Sequence, residues 1–258
     1  MGGVSTPPSF NNCERVIKMK IGIAITSSGS LEPEIYRNHL SVLSRWSKEY
    51  DLQIYHIYDT PQVEALNMIV DSAIADECSH VFFMEHDNIY GFNTLHDLLA
   101  HDVDFVSGYY TFRNWPYEPI PLVEDGDGNM WRFEFIPGGE GSSLIEAKVA
   151  CLGCSLIKID AFKNVEEPYF DLKKNESSGK WCTVDIVLFE KLRAAGVKLF
   201  VDGNVRVGHL SNRFIVTPDN YMCIKKMVQV GFPECVTELD SILKNEDRIT
   251  EFNRIMKG

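Results

Sequence analysis

Two acidic residues, Glu85 and Asp87, stand directly after a short apolar run at residues 81–84. Four consecutive apolar residues followed by polar ones predict a buried strand that ends at the edge of a sheet. Side chains at alternate positions of an extended segment point the same way, so Glu85 and Asp87 can face one site. Carboxylate oxygens suit Mg²⁺ or Mn²⁺, and such ions usually hold phosphates. The alternative interpretation is a solvated turn after a strand.

The composition indicates a globular protein with a sizeable core. Hydrophobic residues make up 45% of the 258 residues and charged ones 24%. The formal net charge of −12 argues against a broad nucleic-acid-binding surface. The sequence shows neither an apolar run of membrane-spanning length nor a signal peptide, so we expect a cytoplasmic protein. The scattered cysteines fit a reducing compartment, and we interpret Cys151 and Cys154 as small buried hydrophobes.

Strands and helices alternate between residues 20 and 87, which predicts an α/β fold with a mixed, mainly parallel sheet flanked by helices. A helix is expected to begin at Pro33, with an inward face that carries Tyr36, Leu40, Leu43, Trp46 and Tyr50. Residues 125–129 predict a hairpin turn, and residues 148–159 a long apolar strand. We expect a flexible leader at 1–18, one domain at 19–215 and a C-terminal helical extension at 216–258.

Six segments, in this order along the chain, resemble motifs of the GT-A-fold nucleotide-sugar glycosyltransferases, most closely those of the family 2-like group. They are residues 65–67, 81–88, 104–116, 152–162, 184–196 and 205–210. The segment at 81–88 is similar to the strand and D-x-D motif of that family, with Glu85 in place of the first aspartate. The match spans about residues 20–212.

The resemblance implies a GT-A-like, Rossmann-related fold and the transfer of a sugar from a nucleoside diphosphate sugar to an acceptor hydroxyl. Mn²⁺ or Mg²⁺ would stabilise the charge on the leaving diphosphate. Asp87 would ligate the ion, with Glu85 on the ion, its water or the donor ribose. His209 matches the family's metal histidine and would be a third ligand. A lone histidine beside apolar residues can also be a core residue.

The resemblance also implies a general base at Asp185. This residue matches an acid at the head of a helix in the family. Inverting sugar transfer needs a carboxylate that takes the proton of the acceptor hydroxyl. The alternative is that Asp185 only stabilises the N-terminus of the helix.

Donor and acceptor contacts are expected from the same resemblance. The nucleotide is expected at four residues, which are Thr26, Ser27, Asp59 and Asn67. The alternatives are turn formation for the first two and a helix-surface position for Asn67. The acceptor is expected beside an aromatic and basic group made of Tyr110, Arg113, Trp115 and Trp181. Aromatic faces stack on sugars and arginine binds phosphate, although aromatic residues also fill cores.

Two other functions are compatible with this pattern. A nucleotidyltransferase on a related fold would also use acids and Mg²⁺, but it usually has a basic, glycine-rich first loop. The loop at residues 26–30 has one glycine and neither lysine nor arginine. A sugar-nucleotide or glycan binding protein without turnover is the other alternative. The acceptor class stays open among a glycan, a lipid, a protein and a modified nucleic-acid base.

Overall fold

A computed structural model describes residues 18–27, 29, 31–113, 117–134, 143–174, 179, 181–211 and 214–217. The strands are β1 (Lys20–Ser27), β2 (Asp51–Tyr58), β3 (His80–Met84), β4 (Asn88–Ile89), β5 (Phe105–Tyr109), β6 (Leu122–Glu124), β7 (Met130–Arg132), β8 (Leu144–Ala147), β9 (Cys154–Lys158), β10 (Leu199–Arg206), β11 (Gly208–Ser211) and β12 (Phe214–Val216). The helices are α1 (Pro33–Trp46), α2 (Gln62–Ala75), α3 (Thr94–Leu99), α4 (Ile159–Phe162) and α5 (Val184–Ala194). The leader and the C-terminal extension lie almost wholly outside the described residues, so the domain boundaries stay predictions.

The described residues form one large sheet with the strand order β2-β1-β3-β9-β5-β10-β8. Strand β1 pairs in parallel with both β2 and β3, and β10 pairs in parallel with β5. Strand β9 runs antiparallel between β3 and β5, and β8 runs antiparallel to β10. Five strands therefore share one direction and two oppose it. The predicted α/β class is confirmed, because the described residues form a mixed, mainly parallel sheet flanked by helices.

The two faces of the large sheet carry separate cores. Helices α1 and α3 cover one face, and α2, α4 and α5 cover the other. Alternation along β1 explains this, because Ile23 faces the α1 side while Gly22 and Ala24 face α2. A Cβ at Gly22 would lie 3.0 Å from the ring of Tyr55 and 3.3 Å from the Cβ of Ala73. Small residues in β1 therefore let α2 pack closely on the sheet.

The predicted inward face of α1 was right at Trp46, which is buried, and at Leu43 and Tyr50, which pack partly buried against the core, but it was wrong at two other positions. Tyr36 and Leu40 are more than half exposed, with exposed fractions of 59% and 57%. The buried positions of the helix are Ile35, His39, Val42 and Trp46. Position 39 faces inward although it is polar, because its imidazole Nε2 forms a 3.0 Å hydrogen bond with the carbonyl of Asn88. Hydrophobicity alone therefore misassigned Tyr36 and Leu40 and missed the inward histidine.

The predicted strand at residues 148–159 was too long, because only Cys154–Lys158 forms β9. The chain turns just before it, where the N–H of Ser155 donates to the carbonyl of Leu152. The hairpin was predicted correctly: β6 and β7 are antiparallel, and Asp125 Oδ1 accepts the N–H groups of Asp127 and Asn129.

Cys151 and Cys154 are buried free thiols, as predicted. In the part of the chain that the structure describes, none of the helices has the length and apolar character that a membrane crossing requires.

Candidate functional site

The carboxyl ends of the parallel strands meet at one edge of the large sheet. Strand β3 ends at Met84, directly before Glu85, while β5 ends at Tyr109 and β10 at Arg206. In open α/β sheets, ligands bind outside these carboxyl ends. The residues that follow the strands therefore form the candidate site.

A small second sheet joins the acidic turn to the histidine segment. Asn88 in β4 pairs with His209 in β11, and the N–H of Leu210 donates to the carbonyl of Asp87 over 2.7 Å. This backbone pairing brings together the side chains of Asp87 and His209, which are 122 positions apart in sequence. The structure thus places these two predicted ligands side by side.

Three side chains converge closely enough to hold one metal ion. Glu85, Asp87 and His209 each offer a ligand atom, and the three atoms lie within 4.8 Å of one another. His209 donates from Nδ1–H to the carbonyl of Thr111 at 2.8 Å, which leaves Nε2 facing Asp87 Oδ2 at 3.3 Å. Metal-ligating histidines usually make such a bond with their second nitrogen. Two carboxylates and an oriented imidazole fit a divalent ion such as Mn²⁺ or Mg²⁺.

Burial and charge perturb the acidic groups in opposite directions. Burial, reinforced by the negative charge of Asp87, raises the pKa of Glu85 to about 7. Burial alone would also raise the pKa of Asp87, but the hydrogen bond and charge of His209 lower it below its usual value. Burial opposes protonation of His209, yet its bond to Asp87 raises its pKa overall. The ionised form of Asp87 is therefore favoured, and this carboxylate can bind a positively charged partner.

Gly153 and Tyr110 form a cradle under Glu85. Any side chain at Gly153 would overlap the Glu85 carboxylate, so the close contact requires glycine. Tyr110 donates to Glu85 Oε2 at 3.4 Å and accepts from the N–H of Gly153 at 2.9 Å. Tyr110 is expected at the acceptor, but its side chain is only 2% exposed. The tyrosine instead supports an acid of the site.

Asp185 lies in the first turn of α5 and is partly buried. Its Oδ1 accepts the N–H of Ile186 at 3.0 Å, which is one of the first backbone N–H groups of the helix. Its charge also contributes to raising the pKa of Glu85, so it stands on the same side of the molecule as the acidic cluster. The position is compatible with both predicted roles.

Three of the residues expected at the nucleotide lie together at the sheet edge. Thr26 and Ser27 end β1, and Asp59 follows β2 and donates its backbone N–H to the carbonyl of Ser27 over 3.2 Å. Ser27 Oγ is also 3.0 Å from Nε2 of His56. Asp59 is exposed and has a φ of 51°, so the chain turns sharply there. Hydroxyl, carboxylate and imidazole groups thus lie together at the carboxyl ends of β1 and β2.

Asn67 does not join this group. Its amide nitrogen donates to the carbonyls of Phe170 and Val63, each at 2.8 Å. Its amide oxygen accepts the N–H of Phe170 at 3.0 Å. Both ends of the amide, which is expected at the nucleotide, are therefore used to hold the segment at Phe170 against α2.

The residues expected at the acceptor differ in their exposure and in their contacts. Trp181 is 67% exposed and precedes α5, so its ring is available to a ligand. Arg113 is half exposed and its Nη1 forms a 2.7 Å ion pair with Asp87 Oδ2. Trp115 lies outside the described residues.

The fold is shared with other solved structures. A197 from STIV matches with a TM-score of 0.53 at 15% identity, over 78% of this chain and 90% of that one. GalNAc-T7 with UDP, GalNAc and Mn²⁺ matches with a TM-score of 0.47 at 12% identity, over 83% and 48%. The 4-diphosphocytidyl-2C-methyl-D-erythritol synthase from Anaerococcus prevotii DSM 20548 matches with a TM-score of 0.43 at 14% identity, over 82% and 99%.

The likeness to A197 bears on the fold alone. The identity to A197 is too low to indicate a shared activity, and the other two TM-scores are too low to support an argument. No protein-family model and no curated protein matches the sequence. The geometry of the site is therefore the evidence on function.

Sequence reasoning missed several supporting residues. Gly153 stands alone in an apolar run, a pattern that indicates close approach of another group and could have identified the Glu85 cradle. The backbone carbonyl of Thr111 and the imidazole of His56 carry no such signal, because their roles depend on the pairing of distant segments.

Proposed function

We propose that this chain is a metal-dependent glycosyltransferase that moves a sugar from a nucleoside diphosphate sugar to an acceptor hydroxyl. The observation that carries the proposal is the convergence of Glu85, Asp87 and His209, whose ligand atoms lie within 4.8 Å of one another. They stand beyond the carboxyl ends of the strands, where a nucleotide crevice forms in such sheets. The domain at 19–215 would be the catalytic unit.

Asp87, His209 and Glu85 would hold the divalent ion, with Mn²⁺ or Mg²⁺ preferred by their oxygen and nitrogen atoms. When bound, the ion supplies positive charge that stabilises the leaving diphosphate. The hydrogen bond from His209 Nδ1–H to Thr111 keeps Nε2 oriented toward the site before any ligand arrives. Because burial raises the pKa of Glu85 to about 7, this carboxyl is partly protonated at neutral pH, and ligation of the ion would release that proton.

The remaining polar groups divide between donor and acceptor. Thr26, Ser27 and Asp59 would contact the nucleotide at the ends of β1 and β2. Asp185 would accept the proton of the acceptor hydroxyl as that oxygen attacks the anomeric carbon. Trp181 offers an exposed ring on the same segment, on which a sugar of the acceptor could stack.

Hydrolysis of nucleotide sugars with and without Mn²⁺ tests this function. The wild-type protein and Asp87→Ala would be incubated with UDP-, GDP-, ADP- and CDP-linked sugars, and release of nucleoside diphosphate would be measured. We expect Mn²⁺-dependent release from at least one donor, and its loss in Asp87→Ala. Asp160→Ala is the matched control, since it removes an exposed acid that pairs with Lys163 outside the site.

Two results would contradict the proposal. Release of pyrophosphate from nucleoside triphosphates without cleavage of any nucleotide sugar would indicate a nucleotidyltransferase. Binding of a nucleotide sugar without turnover, even with candidate acceptors added, would indicate a binding protein.

A further inference from the structure

Arg113 makes a contact that the proposed chemistry does not explain. Its Nη1 lies 2.7 Å from Asp87 Oδ2, and the same oxygen is 3.3 Å from Nε2 of His209. The carboxylate expected to ligate the metal is therefore already paired with a cation. The two partners differ in exposure, because the arginine side chain is 51% exposed and that of Asp87 is 12% exposed. The arginine is the partner that is free to move.

A divalent ion and the guanidinium would compete for this carboxylate. An ion shared by Glu85, Asp87 and His209 would lie about 2.0–2.4 Å from its ligand atoms. The guanidinium and the ion would then be only a few ångströms apart, and like charges at that distance repel strongly in a partly buried site. Binding of the ion therefore favours departure of Arg113 from Asp87.

The displaced guanidinium has an anionic partner in the proposed donor. Arginine presents a planar set of N–H donors that matches phosphate oxygens, often through two parallel hydrogen bonds. A diphosphate held by the ion would offer such oxygens beside Asp87. Because the arginine side chain is half exposed, it can reorient without disturbing a packed core.

We infer that Arg113 exchanges partners during donor binding: it pairs with Asp87 while the metal site is empty, and it moves to the diphosphate of the metal-bound donor. This inference rests on the proposed function, because it requires both the ion and a nucleoside diphosphate. It makes Arg113 a donor-binding and positioning residue. It also predicts that removal of the guanidinium strengthens the binding of Mn²⁺ and weakens the binding of the nucleotide.

The experiment compares Mn²⁺ binding and nucleotide binding in Arg113→Gln. Free Mn²⁺ is followed by its electron paramagnetic resonance signal, first without nucleotide and then with UDP, GDP, ADP and CDP in turn. Without nucleotide, Arg113→Gln should bind Mn²⁺ about two- to fivefold more tightly, the change expected from removing a half-exposed competing ion pair. With the preferred nucleotide, the nucleotide should bind about tenfold more weakly, because a charge-assisted contact is lost.

Three further variants make the result specific. Arg37→Gln removes the same charge from an exposed position on α1 and should change neither affinity. Arg113→Lys keeps the charge, so it should leave Mn²⁺ affinity near the wild-type value while weakening the nucleotide. Asp87→Ala should lose Mn²⁺ binding altogether.

The outcomes separate this inference from the proposed function. Mn²⁺ binding that depends on Asp87 but is unchanged in Arg113→Gln would overturn the exchange and leave the metal site intact. Tighter Mn²⁺ binding with unchanged nucleotide affinity would overturn the transfer of Arg113 to the diphosphate. Absence of Mn²⁺ binding in the wild-type protein, with and without nucleotide, would overturn both the metal site and the exchange.

Discussion

At the scale of single residues, the site depends on groups that hold one another in place. Glu85 rests on Gly153 and Tyr110, while His209 is oriented by the carbonyl of Thr111. Each of these contacts restricts a potential ligand before an ion is present. Because the ligand side chains are already oriented, an ion that binds there is held in a defined geometry.

Asp185 is the residue whose role can be decided by a single substitution. Asp185→Asn keeps the shape of the side chain and removes the proton acceptor. If Asp185 is the base, sugar transfer should fall by roughly 10²–10⁴-fold while donor binding is retained. Steady-state transfer rates and donor affinity, measured on the same preparation, check this expectation.

If Asp185 only stabilises α5, the same change should cost about 1 kcal/mol of unfolding free energy or less, because asparagine also suits helix N-termini. Near-normal transfer by Asp185→Asn would remove this residue from the catalytic group. It would also favour a retaining mechanism, in which no such base is required.

At the scale of elements, α1 holds the segment that follows the acidic turn. Asn38 pairs with the backbone of Tyr90 through both ends of its amide, at 2.8 and 2.9 Å. His39 bonds the carbonyl of Asn88, and Trp46 donates to the carbonyl of Phe92. The helix therefore fixes the position of β4, whose pairing with β11 brings His209 to Asp87.

His39 makes this attachment sensitive to pH. Burial lowers the pKa of His39 from 6.5 to about 4, and the nearby charges of His86 and His56 act in the same direction, whereas Asp87 opposes them. Below pH 6.5 the unfolded chain binds a proton that the folded chain does not accept until about pH 4. The full shift corresponds to about 3 kcal/mol of unfolding free energy, lost as the pH falls through this window.

Urea unfolding of the wild-type protein and His39→Gln between pH 4 and 7 measures this effect. As the pH falls, the free energy of unfolding of the wild-type protein should decrease more than that of the variant. The difference in unfolding free energy between the two proteins should therefore narrow or reverse by about pH 4. His96→Gln, which changes an exposed histidine on α3, should run parallel to the wild-type protein. A constant difference between the wild-type protein and His39→Gln at every pH would show that His39 has the same pKa in the folded and unfolded states, and it would contradict this expectation.

The elements were largely predictable from the sequence, and their faces and ends were less so. Apolar runs identified β1 and β3 because both are buried on two sides. The inward histidine of α1 was not predictable, since its partner is a backbone carbonyl that only tertiary structure supplies. Likewise, the turn at residues 151–154 was hidden in a continuous apolar stretch, because burial of the turn makes its composition resemble that of a strand.

At the scale of the whole molecule, sequence patterns alone could not predict which distant segments lie together. The order of motifs, read through the family resemblance, predicted that Asp87 and His209 approach each other. It did not predict that a two-residue strand, β4, would align them. The charge of the molecule adds a reason for a metal, since a chain of net charge −12 repels a diphosphate unless a cation intervenes.

The most direct test of the metal centre is anomalous X-ray diffraction from crystals soaked with Mn²⁺ and the preferred nucleoside diphosphate. We expect one Mn²⁺ peak about 2.0–2.4 Å from an oxygen of Asp87 and from Nε2 of His209, with diphosphate oxygens completing the coordination. Glu85 should lie in the same coordination sphere or contact one of its waters. A bound nucleotide with no Mn²⁺ at these residues, or with the ion held elsewhere, would contradict the account.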